Sequence, residues 1–332
     1  VAVSMNLLNG FAGLFSLGQA GFMLLGAYTY AILTIPVASR DTVYYIYNGS
    51  AINFSLPEIF GGGPVGLVLG VLLALILAGC VAALVAWLIG LPVLRLKGDY
   101  LAIATLGFGE IIRAVLQWDK LGPVTNGANA LKSFPTFSSF NVQNDAGQVS
   151  LRLSCFVPFL LSGVCIAIIV MLINSTYGRA FKAIRDDEVA AEAMGINLAR
   201  HKRMAFCISS FFAGFGGGMF ARYAKQAQAR TFTTAMTYEI LLIVVIGGIG
   251  SISGSVMATF LYVACSEWWL RFLDSEVVLN NGMKLPFLRA GFRMVVFSVV
   301  IMIVVLFFRR GIMGDKELPD LFRRRVRKEA AK

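Results

Sequence analysis

Two carboxylates share one predicted helix in the segment "LRLKGDYLAIATLGFGEIIR", residues 94–113. Asp99 and Glu110 could serve as a general acid and a general base only if both reached the same reacting group. An interval of eleven residues returns them to nearly the same helix face but separates them by roughly 16 Å. Arg113 follows Glu110 by three residues, which is within ion-pairing reach on a helix surface. The spacing therefore favours a Glu110–Arg113 ion pair over an acid–base pair.

The other residue types capable of chemistry form no catalytic or metal-binding set. His201 is the one histidine, and the sequence contains no GxSxG motif and no Gly-Lys-Ser/Thr phosphate loop. Glu239 opens the predicted helix "YEILLIVVI", and Thr237 is a plausible cap for it. An acidic residue in the first turn is common, because the positive end of the helix dipole stabilises it. We predict no catalytic residue, no metal site and no cofactor bound by this chain. Five cysteines without the close spacing of metal or redox pairs fit buried free thiols: Cys80, Cys155, Cys165, Cys207 and Cys265.

The composition indicates that most of the chain lies within a lipid bilayer. Hydrophobic residues make up 58% and charged residues 14% of 332 positions, too little charge to cover a water-soluble fold. An apolar stretch of roughly 20 residues crosses the hydrocarbon core as a helix, and the alternation typical of a barrel strand is missing. We predict an all-α, polytopic transmembrane helical bundle with about eight spans. Two crossings fall in residues 1–39, and the others in 66–91, 100–118, 154–173, 204–221, 240–266 (a broken pair) and 286–308.

Basic residues fix the orientation of this bundle. Nine Lys and Arg residues follow residue 308, and the positive-inside rule places that end in the cytoplasm. We therefore divide the chain into a transmembrane domain, 1–314, and a basic cytoplasmic tail, 315–332. The net charge of +11 is then a topology signal rather than a nucleic-acid footprint. Because the sequence opens Val-Ala-Val-Ser without Met, we also expect residues to precede Val1.

Glycines predict irregular helices at two places. The apolar region 240–266 is too long for one crossing, so we predict a bend at "GGIGSISG", residues 247–254, with Trp268 and Trp269 at the outer interface. Gly107 and Gly109 could likewise break the helix of Glu110 and leave its charges in a watery cavity. Otherwise the Glu110–Arg113 pair either fastens its helix to neighbours or lines a functional path.

A charged loop, residues 178–203 or "GRAFKAIRDDEVAAEAMGINLARHKR", separates two uncharged spans. Asp186 and Asp187 are suited to cap a helix start, "EVAAEAM" favours helix, and Gly195 is suited to end it in the left-handed conformation. The result is a helix of about two turns on the cytoplasmic face, with Ala190, Ala191 and Ala193 as a small, close-packing surface. A helix this short needs something to dock against.

Several stretches resemble one transporter family. The string Asp187-Glu188-x-Ala190-Ala191-x-Ala193-x-Gly195-Ile196-Asn197 resembles the coupling loop of ABC importer permeases. Four further motifs resemble the LivM-type branched-chain amino acid permeases, in order, over residues 6–314. They depart from the family pattern at Gln19 and Gly21, where a His and an Ala are expected. The motifs are "NLLNGFAGLFSLGQAGFMLLGAYTYA", "LRLKGDYLAIATLGFGEIIR", "GGIGSISGSV" and "FRRGIMG".

The resemblance implies a type II importer permease fold in the bacterial inner membrane, with a cytoplasmic C-terminus. It implies two ATPase subunits that hold ATP and Mg, a second and related permease in a heterodimer, and a periplasmic or extracellular solute-binding protein. ATPase coupling would fall to Arg185, Asp186, Asp187, Glu188, Ala190, Ala191, Gly195 and Asn197. Candidates for the translocation path are Gln19, Thr105, Glu110, Arg113, Glu239, Gly247 and Gly248.

Three functions remain open at this point. The first is import of branched-chain or related small amino acids, and the second is import of urea, short amides or another small polar solute by the same kind of permease. The third is an intramembrane enzyme that uses Asp99 and Glu110, which the separation of roughly 16 Å estimated above disfavours.

Overall fold

We describe the protein from a computed structural model. The described residues are 1–269, except 48, 62, 97, 141, 144–148 and 152, together with 296, 299, 302, 311–314 and 317. They fold into helices joined by short turns, with one two-stranded antiparallel ribbon. The chain forms two compact units, residues 3–238 with Val1, and residues 239–332 with Ala2.

In the described part of the chain, seven helices precede the ribbon, and a π turn, Leu7–Phe11, follows the first of them. The helices are α1 Ala2–Asn6, α2 Gln19–Thr34, α3 Val37–Val43, α4 Leu56–Ile59, α5 Pro64–Val93, α6 Asp99–Leu116 and α7 Gly122–Thr125.

The ribbon consists of β1 Val142–Gln143 and β2 Val149–Leu151. The helices after it are α8 Leu153–Asn174, α9 Thr176–Asp186, α10 Glu188–Ala193, α11 Leu198–Ala224, α12 Thr234–Gly247 and α13 Ile252–Val263, the last continued by a π turn, Ala264–Trp269.

The core of the first unit is α2, which is buried on almost all sides between α5 and α11. Glycines let the α2 and α11 backbones touch. A Cβ on Gly217 would lie 1.9 Å from the carbonyl oxygen of Met23, and a Cβ on Gly26 would lie 1.9 Å from that of Gly214. In lipid, helices gain no hydrophobic free energy by associating, so close packing through small residues stabilises such crossings.

The chain is broken before α2. Residues 12–18 are not helical, and Gly13 has a positive φ of 68°. Two side chains hold this segment: Asn9 Oδ1 accepts the Ser16 N–H at 3.1 Å, and Thr105 Oγ1 accepts the Leu17 N–H at 3.0 Å. Exposed backbone of this kind is tolerated inside a membrane only where protein or water covers it. Within the given sequence, the helical residues before the break are 2–11.

Two buried arginines hold loops of the first unit. Arg40 donates to the carbonyl oxygens of Ile32 at 2.9 Å and Phe54 at 2.6 Å, which pins the segment that follows α3. Arg222, at the end of α11, lies over the ring of Phe137 with 4.3 Å between the guanidinium carbon and the ring centroid. Such a stack is favourable because the cation faces the negative surface of the ring.

Three of the described helices are long and apolar enough to cross a membrane: α5, α8 and α11. Two bent pairs raise the number to five if each is one span, namely α6 with residues 119–125 and α12 with residues 252–269. The described residues thus confirm a helical, membrane-type chain, whereas the number of eight spans is not confirmed. Most of the predicted last span, 286–308, and most of the basic tail lie outside the described residues.

The second unit contains the bend predicted from the glycines. Helix α12 ends at Gly247, α13 begins at Ile252, and their axes differ by 120°. Gly248 and Gly250 have positive φ values of 113° and 94°, which glycine adopts without a steric penalty. Ser251 caps α13 by accepting the Gly254 N–H at 3.1 Å. The prediction of a broken helix here is confirmed.

Residues 311–314, the described part of the motif "FRRGIMG", meet this bend. The Ile312 N–H donates to the Ile246 carbonyl at 2.8 Å, and the Met313 N–H donates to the Gly247 carbonyl at 3.3 Å. The Glu317 carboxylate accepts the N–H groups of Ile252 at 2.7 Å and Ser253 at 3.1 Å. An acidic group at a helix N-terminus satisfies free donors and opposes the positive dipole end. Glu317, the first described residue of the predicted tail, thus packs against the start of α13 within the second unit.

Candidate functional sites

The charged loop folds as two short helices with defined ends. Asp187 caps α10 because its Oδ1 accepts the N–H groups of Val189 at 2.8 Å and Ala190 at 3.1 Å. The helix ends at Gly195, whose φ is 85°, and the next N–H, that of Ile196, reaches back to the Ala191 carbonyl at 3.1 Å. This is the Schellman arrangement expected of a glycine stop. The predicted cap and stop are both confirmed.

Arg185 and Lys202 connect the loop to neighbouring segments. Arg185 contacts Asp186 at 3.0 Å and donates to the carbonyl of Gly10 at 3.0 Å, while its side chain packs on Gly13. Lys202, on α11, binds Glu188 at 2.6 Å, and its side chain is largely buried. The loop is therefore fastened both to the break before α2 and to the start of α11.

The outer surface of α10 carries exposed apolar side chains beside the exposed Glu192. Val189 is 78% exposed and Met194 is 83% exposed, whereas Ala191 is buried. The predicted surface of three alanines needs correction, because Ala191 faces the protein while Ala190 and Ala193 face outward.

The remaining residues predicted for coupling have structural partners. Asp186 is the last residue of α9 and pairs with Arg185, so of the two aspartates only Asp187 serves as a cap. Asn197 caps α11, with its Oδ1 accepting the Arg200 N–H at 3.0 Å. The lone histidine, His201, lies beside the rings of Tyr177 and Phe181.

A second candidate site is an open cleft in the first unit, which we call the Glu110 cleft. It forms where the start of α2, the middle of α6 and the start of α12 meet, and its free volume of about 10 Å³ is the room of one water molecule at most. Its walls are Leu17, Ala20, Gly21, Leu106, Gly109, Glu110, Phe232, Thr233, Thr234 and Thr237.

The predicted ion pair borders this cleft. Arg113 Nε lies 3.3 Å from Glu110 Oε2, and each side chain is about one third exposed. Among the described residues, Glu110 Oε1 has no hydrogen-bond partner. Helix α6 is continuous from Asp99 to Leu116, so the alternative in which Gly107 and Gly109 break it is wrong. The close approach of α2 and α6 depends on Gly21, since a Cβ on Gly21 would lie 2.7 Å from the Gly109 Cα, whereas a Cβ on Gly109 would meet nothing closer than 3.9 Å.

Two path candidates lie next to the cleft but are buried. Thr105 stabilises the non-helical segment before α2 by accepting the Leu17 N–H, as described above. Gln19 is 1% exposed, and its Nε2 donates to Ser209 Oγ at 2.9 Å. Its Oε1 has no hydrogen-bond partner in the described part of the chain. Both residues thus shape the start of α2 and do not line the cleft.

The other path candidates are not at the cleft. Glu239 is exposed and is the sixth residue of α12, because this helix begins at Thr234 and not at Glu239 as predicted. The predicted cap, Thr237, is buried and its Oγ1 accepts the Ala20 N–H of α2 at 3.3 Å. Gly247 and Gly248 belong to the bend, where they pack against Gly254 and Gly314.

The structure adds functional candidates that the motifs did not supply. Thr233, Thr234 and Thr237 come from "TFTTAMT", a run of hydroxyl groups that precedes an apolar helix. No group of three or more His, Cys, Asp and Glu side chains that could hold a metal ion occurs among the described residues.

Comparison with known proteins identifies the family. The description "Branched-chain amino acid transport system / permease component" matches residues 1–307. The LivM high-affinity branched-chain amino acid permease of Salmonella typhimurium is 33% identical over 303 residues, and that of Escherichia coli K12 is 32% identical. Each alignment covers 85% of this chain and 64% of the relative, so the chain spans just under two thirds of those proteins.

A probable LivM permease of Methanocaldococcus jannaschii is 23% identical over 327 residues, which is 96% of this chain and 90% of that protein. No solved structure is significantly similar to the chain. The family match covers the charged loop, the Glu110 cleft and the glycine bend, and it agrees with the apolar helices. The chain is an integral membrane protein that belongs to the branched-chain amino acid transport permease family.

Proposed function

We propose that this chain is the membrane-spanning permease subunit of an ATP-driven importer for branched-chain or related small amino acids. The observation that carries the proposal is α10, a capped helix with an exposed Val189 that is followed by an exposed Met194 and is held at its first residue, Glu188, by Lys202 of α11. A helix of six residues is unstable alone, which favours a docked partner.

The partner for α10 would be an ATPase subunit. This chain has no Gly-Lys-Ser/Thr loop, so ATP and Mg would be held by two ATPase subunits. A second, related permease would complete the path, and a soluble binding protein would deliver cargo from outside. Basic residues in the loop and the tail support a cytoplasmic face in the bacterial inner membrane, with the C-terminus on the same side.

A permease of this family could also carry urea, short amides or another small polar solute. Urea and amides carry N–H donors that would suit the Glu110 carboxylate as well as an ammonium group would, so the preference for an amino acid rests on the family match.

The test is purification of the chain through a tag at its C-terminus in mild detergent, with mass spectrometry of what stays bound and leucine uptake by the reconstituted assembly. An ATPase and a second permease should copurify. A chain that stays folded and alone would contradict the proposal.

Glu188→Lys tests the loop itself. Lysine at this position repels Lys202, so α10 should detach and uptake should be lost while the complex still assembles. The double variant Glu188→Lys with Lys202→Glu restores the pair in reverse and should regain uptake. Uptake at the wild-type rate in Glu188→Lys would remove α10 from the mechanism.

A further inference from the structure

A groove runs between α8 and α11 in the first unit, and its free volume is about 690 Å³. That volume lies within the range of small-molecule binding sites, roughly 300–1,000 Å³. The groove exists because the first half of α8 does not pack on the rest of the unit. The buried residues of this helix are Ile169 and Ile173, both near its other end. Cys155 and Phe159 line the groove and are exposed, so it is open along its side.

The walls of the groove change from apolar to polar toward the end of α11. The apolar part is formed by Pro158, Phe159, Gly216, Met219 and Phe220. The polar part is formed by Thr136, Ser138, Ser154, Arg222 and Lys225. The groove therefore suits a molecule that has an apolar chain and a polar head.

The polar part lies on the face opposite the charged loop, because α11 begins beside that loop and ends at Ala224. The segments 121–144 and 221–238 meet on this face, since the Leu131 and Ala227 backbones exchange two hydrogen bonds of 2.9 Å. Neither segment contains Asp or Glu, and the positive-inside rule predicts few cations on this side of the membrane. The presence of basic residues here therefore indicates a role other than orientation. They are Lys132, Arg222, Lys225 and Arg230.

Arg222 is the buried member of this set, with 1% of its surface exposed. Its Nη2 donates to the Thr136 carbonyl at 3.1 Å, whereas Nε and Nη1 have no hydrogen-bond partner among the described residues. The rings of Phe137 and Phe140 lie 4.3 and 4.6 Å from its guanidinium carbon. Rings attract a cation but carry no net charge, and in the described part of the chain no carboxylate pairs with Arg222. Because a buried charge without a counter-charge is costly, an anion in the adjacent groove is stabilised.

Lys225 supplies a direct contact at the mouth of the groove. It follows the last residue of α11, it is exposed, and its ammonium group can bind a phosphate as a point charge. Tyr223 also lines the groove and is 77% exposed. Tyrosine is enriched at the level of the lipid headgroups. The polar part of the groove thus fits the headgroup region, and the apolar part extends from it toward the middle of the bilayer.

We propose that the groove between α8 and α11 binds one anionic phospholipid from the leaflet opposite the charged loop. Its phosphate contacts Lys225 and supplies the counter-charge to Arg222, and one acyl chain lies along Phe159, Gly216 and Met219. The site is separate from the Glu110 cleft. It goes beyond the proposed function, and it does not depend on which solute is transported.

The experiment is a lipid titration of the purified protein, delipidated in mild detergent, with native mass spectrometry as the readout. The lipids are dioleoyl phosphatidylglycerol, which is anionic, and dioleoyl phosphatidylcholine, which has the same chains and no net charge. Phosphatidylglycerol should bind about fivefold more tightly, because its net charge is attracted by the basic residues. Lys225→Ala should raise the Kd for phosphatidylglycerol at least about tenfold, because a charge-assisted hydrogen bond is lost. The control Arg230→Ala removes a cation of the same face outside the groove and should leave that Kd unchanged.

A second pair of variants tests the apolar part of the groove. Cys155→Trp places an indole ring in the groove beside α8 and should weaken the binding of both lipids. Cys80→Trp is the matched control, since Cys80 is equally exposed but lies on α5 outside the groove, and it should leave both Kd values unchanged. Because neither cysteine is buried, both variants should fold.

The outcomes separate this inference from the proposed function. Equal Kd values for the two lipids in the wild type would overturn the site, and so would equal effects of Lys225→Ala and Arg230→Ala. If another polypeptide fills the groove, Cys155→Trp and Cys80→Trp should give the same Kd values, and the site is again overturned. A protein that shows the expected lipid binding but transports urea and not leucine would keep the site and overturn the proposed function.

Discussion

Gly217 of α11 meets the backbone of α2 at one of the two closest glycine contacts in the described part of the first unit, the other being that of Gly26 with Gly214. In Gly217→Ala, the new Cβ would lie 1.9 Å from the Met23 carbonyl oxygen, and real Cβ contacts essentially never fall below 3.0 Å. The helices must therefore separate locally by at least 1.1 Å, the difference between these two distances. Because both sides of the contact are rigid helix backbone, no side-chain rotation can relieve it.

The magnitude follows from two opposing terms. Overpacking a well-packed contact costs about 1–3 kcal/mol, and a backbone-to-backbone contact belongs at the upper end. Alanine in place of glycine within a helix returns about 1 kcal/mol of propensity. We expect Gly217→Ala to lower the free energy of unfolding by about 2 kcal/mol. A wider α2–α11 crossing would also disturb the start of α2, so leucine uptake should fall.

The matched control is Gly163→Ala on α8, where an added Cβ meets nothing within 4 Å in the described part of the chain. It changes the same atoms in another helix and should be neutral or more stable by up to about 1 kcal/mol. Equilibrium unfolding in mixed detergent micelles, followed by circular dichroism, measures both variants. Equal stability of the two would refute the reasoning from backbone contact.

Two other predictions concern helix ends. Asp187→Ala removes the cap of α10 at a cost of about 1 kcal/mol, so hydrogen exchange of the Val189 and Ala190 amides should rise about fivefold. The control, Asp186→Ala, leaves the cap in place and should not raise the exchange rate of these amides. Equal exchange rates in the two variants would contradict the assignment of Asp187 as the cap. Glu317→Ala removes the carboxylate that binds the start of α13 and should lower the free energy of unfolding by about 2 kcal/mol; an unfolding midpoint equal to the wild type would show that this contact contributes nothing.

Local signals in the sequence predicted the charged loop and the bend well. Asp187, the alanine-rich run and Gly195 act through neighbours within a few residues, so their roles can be inferred without knowing the fold. The bend was equally accessible, because an uncharged stretch too long for one crossing contained several glycines. Glu110 and Arg113 lie three residues apart, and helix geometry alone was sufficient to pair them.

The break before α2 and the Glu110 cleft could not be inferred in the same way. Residues 1–39 carry no charge, so hydropathy does not distinguish the extended segment 12–18 from the helices beside it. Its support comes from Thr105, which is 88 residues away from Leu17. The start of α12 was misplaced for a similar reason, since the role of Thr237 depends on the backbone of Ala20. Such contacts between distant segments follow from packing, which the local pattern does not encode.

The attachment of Ile312, Met313 and Glu317 to the glycine bend has a consequence for synthesis of the protein. The Ile246 and Gly247 carbonyls, and the N–H groups that begin α13, receive partners from residues made about 65 positions later. Until that segment leaves the ribosome, the bend enters the bilayer with polar backbone groups that lipid cannot satisfy. Insertion of this part of the protein is therefore completed late, and the quality-control machinery of the cell would encounter an open bend in any chain whose translation stopped before Glu317.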